Sequence, residues 1–264
     1  MRHTALILFF FLAGCGTTVG MNPSFPLESE EASATLSRLK REPMPLQRPL
    51  IVLAGYQDPG YGALSVAKRL RRLVSNPEMV ASISFFACPT FDDCRRKTIE
   101  EIDAAFPSRD PDETIEVDVV GISMGGLVAR HAARDEAIIA VGKRLRIHTL
   151  YSVGTPHQGA KLAALPTWDQ RQKDMRPGSV FLRELNDDPS SQNFDIVAYG
   201  RAGDEIVGLR NTAPPQGDVW WLPNLRWQSP HLTSASDPRI VADIAQRLRG
   251  ATPFTRGRPA PLPP

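Results

Sequence analysis

The stretch Val117-Asp118-Val119-Val120-Gly121-Ile122-Ser123-Met124-Gly125-Gly126-Leu127-Val128-Ala129-Arg130 constrains this chain more than any other. Its first half is a valine-rich apolar run broken by one acid, the composition of a strand buried on both faces of a parallel sheet. Its second half, continuing to Arg134, is a run of helix formers. Between them stands Gly-x-Ser-x-Gly. A turn this sharp brings the backbones of strand and helix into contact, so glycine is needed on either side of the serine. The serine takes a strained conformation that lifts its hydroxyl clear of the sheet. The five-residue pattern alone is common by chance; the strand before it and the helix after it make it specific.

A length of 264 residues with 42% hydrophobic content suits one α/β domain. The net charge of +2 comes from nearly balanced signs, which argues against a nucleic-acid partner. Met1-Arg2-His3 is a short basic start, and the apolar run from Ala5 to Ala13 is far shorter than the ~20 residues of a membrane-spanning helix, so residues 1–14 read as a signal peptide. The run ends in Leu12-Ala13-Gly14-Cys15, which resembles the lipobox of bacterial lipoproteins. The resemblance implies cleavage before Cys15, a diacylglyceryl group on its thiol and a lipid anchor in the cell envelope. An ordinary secretory signal with a chance cysteine is the alternative. Acyl chains contribute ~0.8 kcal/mol per buried methylene, so two or three anchor durably. Gly16 stands where aspartate goes with inner-membrane retention in the best-known sorting systems, which favours the outer membrane.

Residues 15–48 shift to Thr, Ser, Pro, Glu and Lys, with Pro23, Pro26, Pro43 and Pro45, and read as a lipidated N-terminus and flexible tether with a short helix within Glu30 to Lys40. Residues 251–264 are proline-rich and read as a disordered tail. Between them, residues 49–250 alternate strand-like and helical segments. Strands are expected at Pro49 to Tyr56, Val80 to Phe86, Val117 to Ile122, Arg146 to Val153, Phe194 to Gly200 and near Val219 to Trp221. Helices are expected at Ala63 to Val74, Arg95 to Ala105, after the serine turn, and at Pro238 to Leu248. Such alternation predicts a parallel sheet with right-handed crossovers. Cys88 and Cys94 bracket a loop, and in an oxidising compartment they can form a local disulfide; two free buried thiols are the alternative. Lys68, Arg69, Arg71 and Arg72 read as a solvated helix face, and no His or Cys spacing suggests a metal site.

Taken together, the serine turn, Gly154-Thr155-Pro156-His157-Gln158-Gly159, the segment Met175 to Leu185 and the ordered pair Asp204 and His231 resemble an α/β-hydrolase of the bacterial lipase/esterase type. The resemblance implies a mostly parallel central sheet with helices on both faces, and a Ser-Asp-His chain order. In that order Ser123 is the nucleophile, Asp204 the acid and His231 the base. Glu205 is the alternative acid. His131 lies ~12 Å along the helix from Ser123, His148 begins its strand at the far edge, and His157 precedes the strand-end acids, so it reads as a site neighbour or a loop-shaping residue. The resemblance puts the oxyanion-hole donors at the backbone N–H groups of Met124 and Tyr56. The chain departs from many lipases at Ala54-Gly55, where they have His-Gly, and at Ile122, where relatives often have histidine. Trp220, Trp221 and Trp227 either line an acyl-binding cleft or pack the sheet edge.

The function implied is hydrolysis of carboxylic esters through an acyl-enzyme on Ser123, without a cofactor, on an ester or lipid substrate and from a membrane anchor. Acyl transfer, thioester or amide cleavage by the same residues is the alternative, as is a binding lipoprotein without turnover.

Overall fold

Valine, isoleucine and leucine fill the strands because a parallel sheet covered on both faces leaves no wet side for polar residues. In the computed structural model, which describes residues 21–136, 141–224 and 228–263, β1 (Leu50–Leu53) and most of β3 (Val117–Ile122) are buried throughout. They are flanked by β2 (Val80–Ile83), β4 (Ile147–Val153), β5 (Asp195–Arg201) and β6 (Val219–Leu222). The six strands form one sheet in the order β2-β1-β3-β4-β5-β6, every pairing parallel. The strand order reverses at β1, so the crevice between the carboxyl ends of β1 and β3 is where such a sheet receives ligands.

Among the described residues the α-helices are α1 (Ser29–Arg41), α2 (Tyr61–Arg71), α3 (Phe91–Ala105), α4 (Met124–Ala132), α5 (Gln170–Asp174), α6 (Val180–Asp187), α7 (Pro230–Ser234) and α8 (Pro238–Leu248). α3 and α4 pack together on one face, while α1 and α8 pack together on the other, beside α2. Arg249, just past α8, donates to the carbonyls of Leu39, Glu42 and Leu73 and ties the ends of α1, α8 and α2 together. No helix among the described residues is long and apolar enough to cross a membrane.

Two segments depart from their composition. Residues 22–48, expected as a tether, belong to the body: Phe25, Leu27 and Leu39 are buried, and Phe25 meets Tyr199 at 6.3 Å between ring centres. The buried Asn22 amide donates to the carbonyl of Trp221 at 2.7 Å. The stretch after Gly250, expected as a disordered tail, is docked as well. The carboxylate of Asp243, fully buried in α8, accepts the N–H groups of Phe254 and Thr255 at 2.6 and 2.9 Å, and the indole of Trp221 donates to the carbonyls of Ala260 and Pro261. Proline content hid both, because a few apolar and hydrogen-bonding side chains suffice to fix a segment whose backbone is already stiff.

Cys88 and Cys94 are both buried as free thiols, so the disulfide expected from the oxidising compartment is not formed here. They pack as small hydrophobes next to one another, and burial, then the neighbouring Cys88, push the Cys94 thiol up. Trp220 and Trp221 lie in β6 and pack the sheet edge; Trp227, the signal peptide and Cys15 fall outside the described residues.

Candidate active site

At the end of β3 the chain turns through Ser123 with φ 50° and ψ −120°, a conformation that L side chains rarely adopt. The turn is tight enough that a Cβ on Gly125 would stand 2.4 Å from the carbonyl oxygen of Leu53, and one on Gly121 2.5 Å from Cα of Gly126. The Ser123 N–H is held by the carbonyl of Val153 at 2.8 Å, which fixes the turn to β4.

The structure brings Ser123, His231 and Asp204 together from three distant parts of the chain. His231 sits on the single turn of α7, with Pro230 opening the helix, and its Nε2 is 3.0 Å from the Ser123 hydroxyl oxygen. Its Nδ1 is 2.8 Å from Oδ2 of Asp204. Asp204 follows β5 and is buried; its other oxygen accepts the N–H groups of Ile206 and Val207 at 3.0 and 2.9 Å. Burial raises this carboxyl, but the hydrogen bond and charge of His231 together with the two backbone N–H groups outweigh it, and the group lies below the usual carboxylate range. An ionised Asp204 assigns the ring proton to Nδ1 and leaves Nε2 free to accept from the serine. Glu205, the alternative acid, points into solvent toward Lys161.

The loop after β1 lies against the same hydroxyl: a Cβ on Gly55 would be 3.4 Å from Cβ of Ser123. Among the described residues, neither the Tyr56 N–H nor the Met124 N–H meets a protein acceptor. Asp58 holds this loop, accepting from the N–H groups of Gly60, Gly62 and Ala63, while the Ser84 hydroxyl donates to the Asp58 carbonyl at 2.8 Å. The Tyr56 ring is covered by the guanidinium of Arg171 at 5.2 Å, and Arg171 in turn binds Asp169 and the carbonyl of Phe85. Burial, then a hydrogen bond to Asp169, raise the Tyr56 phenol.

Sequence reasoning missed Asp58, Asp169 and Arg171. Asp58-Pro59-Gly60 carried a turn signal that fits the first; nothing in the sequence pairs residue 171 with residue 56.

His157 is fully buried and lies apart from the serine. Arg130 of α4 donates to its Nδ1 at 3.2 Å, which leaves Nε2–H to donate to the Ser152 hydroxyl at 3.1 Å. Burial, then the Arg130 charge, hold this imidazole well below its ordinary value, so it stays neutral and structural. Arg130 also reaches Asn186, Leu185 and Ser191, and burial pulls it down to about 10. His131 is buried against Phe91 and Phe181 with Asp92 at 2.9 Å, and His148 lies half-exposed at the opposite edge beside Glu116.

No family model matches the chain, and no curated protein matches it in sequence. Among solved structures it is similar to the mature form of the lipase BlEst2 of Bacillus licheniformis, at 13% identity and a TM-score of 0.51, over 74% of this chain and 89% of that one. It is similar also to the phospholipase PlaB of Legionella pneumophila in complex with thio-NAD, at 14% identity and a TM-score of 0.54, over 77% of this chain and 58% of that one.

The fold is the α/β-hydrolase fold. The strand order, the serine turn after β3 and the acid after β5 are its landmarks in this chain. At such low identity the likeness carries the architecture, and the chain spans little more than half the length of the phospholipase.

Proposed function

We propose that the protein is a serine hydrolase of carboxylic esters, held at the cell envelope by a lipidated Cys15. Ser123 attacks the acyl carbonyl as His231 Nε2 takes its proton, and Asp204 keeps the imidazole in the accepting tautomer and stabilises the imidazolium that forms. The carbonyl oxygen, now negative, is received by the N–H groups of Tyr56 and Met124. Collapse expels the alcohol with the proton from His231, and water, activated by the same imidazole, releases the acid and restores the serine. A lipase and a phospholipase share the fold, which supports an ester or lipid substrate.

The observation that carries this reading is the continuous relay of 3.0 Å and 2.8 Å from the Ser123 hydroxyl through His231 to a buried carboxylate. A fluorophosphonate probe should label the purified protein once, and Ser123→Ala should abolish labelling and lower ester turnover by on the order of 10⁴-fold or more. Labelling that survives in Ser123→Ala removes the serine from the role. Asp204→Asn should keep labelling measurable but slow it by roughly 10⁴-fold, since the amide selects the wrong imidazole tautomer.

A further inference from the structure

Exposed single apolar side chains are ordinary on a protein surface, but a set gathered on one edge calls for a partner. Tyr61, Phe86, Leu162, Leu165, Trp168 and Leu232 are all exposed, Trp168 at 97%, Tyr61 at 80% and Leu232 at 70%. They stand in the segments that follow β1, β2, β4 and β6, on the carboxyl edge of the sheet, where Ser123 opens. Lys161 and Leu162 donate their N–H groups to Val207 and Ile206 beside Asp204, and Leu232 adjoins His231. Of the exposed large apolar residues described, Met44 and Ile115 stand toward the opposite edge.

The chain enters the body at the same edge. Asn22 is pinned to Trp221, one residue short of the carboxyl end of β6, and α1 then runs away toward the amino edge, where Arg249 holds its end. Cys15 precedes Asn22 by seven residues. Seven residues reach at most about 25 Å, whereas a body of this length is roughly 45 Å across. An anchor at Cys15 therefore cannot let the amino edge rest on the bilayer without pulling Asn22 from its buried place. Leash and apolar rim select one orientation.

We propose that the carboxyl edge is a bilayer-docking surface, held against the membrane that carries the Cys15 anchor, and that the substrate is the acyl ester of a lipid taken from that same membrane. The docking rests on lipidation of Cys15, and the substrate class rests on the hydrolase reading above.

The test uses the full lipidated chain with Ser123→Ala, reconstituted in phosphatidylethanolamine/phosphatidylglycerol vesicles whose acyl chains are brominated near the headgroup. Tryptophan emission should be quenched, and Trp168→Phe should remove at least half of that quenching. The Trp168 ring is exposed and makes no hydrogen bond among the described residues, so its loss leaves the fold intact. Quenching equal with and without Trp168, or a mass showing Cys15 unmodified, overturns the docking. So does cross-linking of rim to rim between two copies with Trp168 unquenched, which would give the edge to a second copy of the chain. With Ser123 restored, lipid in the enzyme's own vesicles should be hydrolysed at least tenfold faster than lipid in added protein-free vesicles, and a twenty-residue Gly/Ser spacer after Gly16 should erode that ratio. Equal rates overturn the choice of substrate. Quenching without hydrolysis of any ester upholds the docking and overturns the hydrolase reading.

Discussion

At Ser123 the backbone holds φ 50° and ψ −120°, a conformation whose cost for a residue with a Cβ is about 1–3 kcal/mol. Glycine relieves that strain and alanine does not. Ser123→Gly should therefore unfold in urea about 1 kcal/mol later than Ser123→Ala, after the greater chain entropy of glycine is subtracted, with both inactive. The neighbouring Gly125 has no such latitude. A Cβ there meets the backbone of Leu53 at 2.4 Å, and Gly125→Ala should destabilise by about 3 kcal/mol or fail to fold, read by the same titration. Deeper in the protein, Arg130→Met would strip donors from His157, Asn186 and the carbonyl of Leu185 at once. A loss of about 3 kcal/mol is expected, measurable as a lower thermal midpoint, since the acceptors left behind are mostly buried.

Among the elements, α8 and the segment after it behave as one unit. Asp243 is a buried carboxylate whose oxygens take the Tyr199 hydroxyl, the Arg247 guanidinium and the N–H groups of Phe254 and Thr255. Deleting residues 251–264 removes two of these donors and the acceptors of the Trp221 indole. Truncation should lower stability by about 3 kcal/mol in urea unfolding, whereas removal of a free tail would be neutral. The elements nearest the site follow the same logic. Asp58 fixes the loop that carries Tyr56, and Arg171 of α5 covers that ring, so a segment far along the chain shapes the loop after β1.

For the molecule as a whole, two histidines are buried in the neutral form. Burial is the largest effect on each, and the Arg130 charge adds to it at His157, while Asp92 offsets part of it at His131. Both are held below their ordinary value, so between the unfolded value of ~6.5 and the lower folded one the unfolded chain binds protons that the folded chain does not. The stability they confer is full above ~6.5 and is lost as the pH falls from there toward the folded values, by up to ~1.4 kcal/mol per pH unit for each. Urea midpoints measured from pH 7.5 to 5 should fall accordingly, and His157→Gln should flatten the slope. The amino-acid order alone made the parallel sheet and the serine turn after its third strand legible, and the resemblance to the α/β-hydrolases added the chain order that singles out Asp204 and His231. The sheet and the turn rest on local periodicity and on steric rules that act within a few residues, whereas the chain order came with the resemblance. Tertiary structure decided what depends on distant partners. It drew residues 22–48 and 251–263 onto the body, left Cys88 and Cys94 as thiols, buried His157 against Arg130, and set Arg171 over Tyr56. Such contacts are chosen by shape and by the need of each buried polar group for a partner, and neither is written in the spacing of residues along a chain.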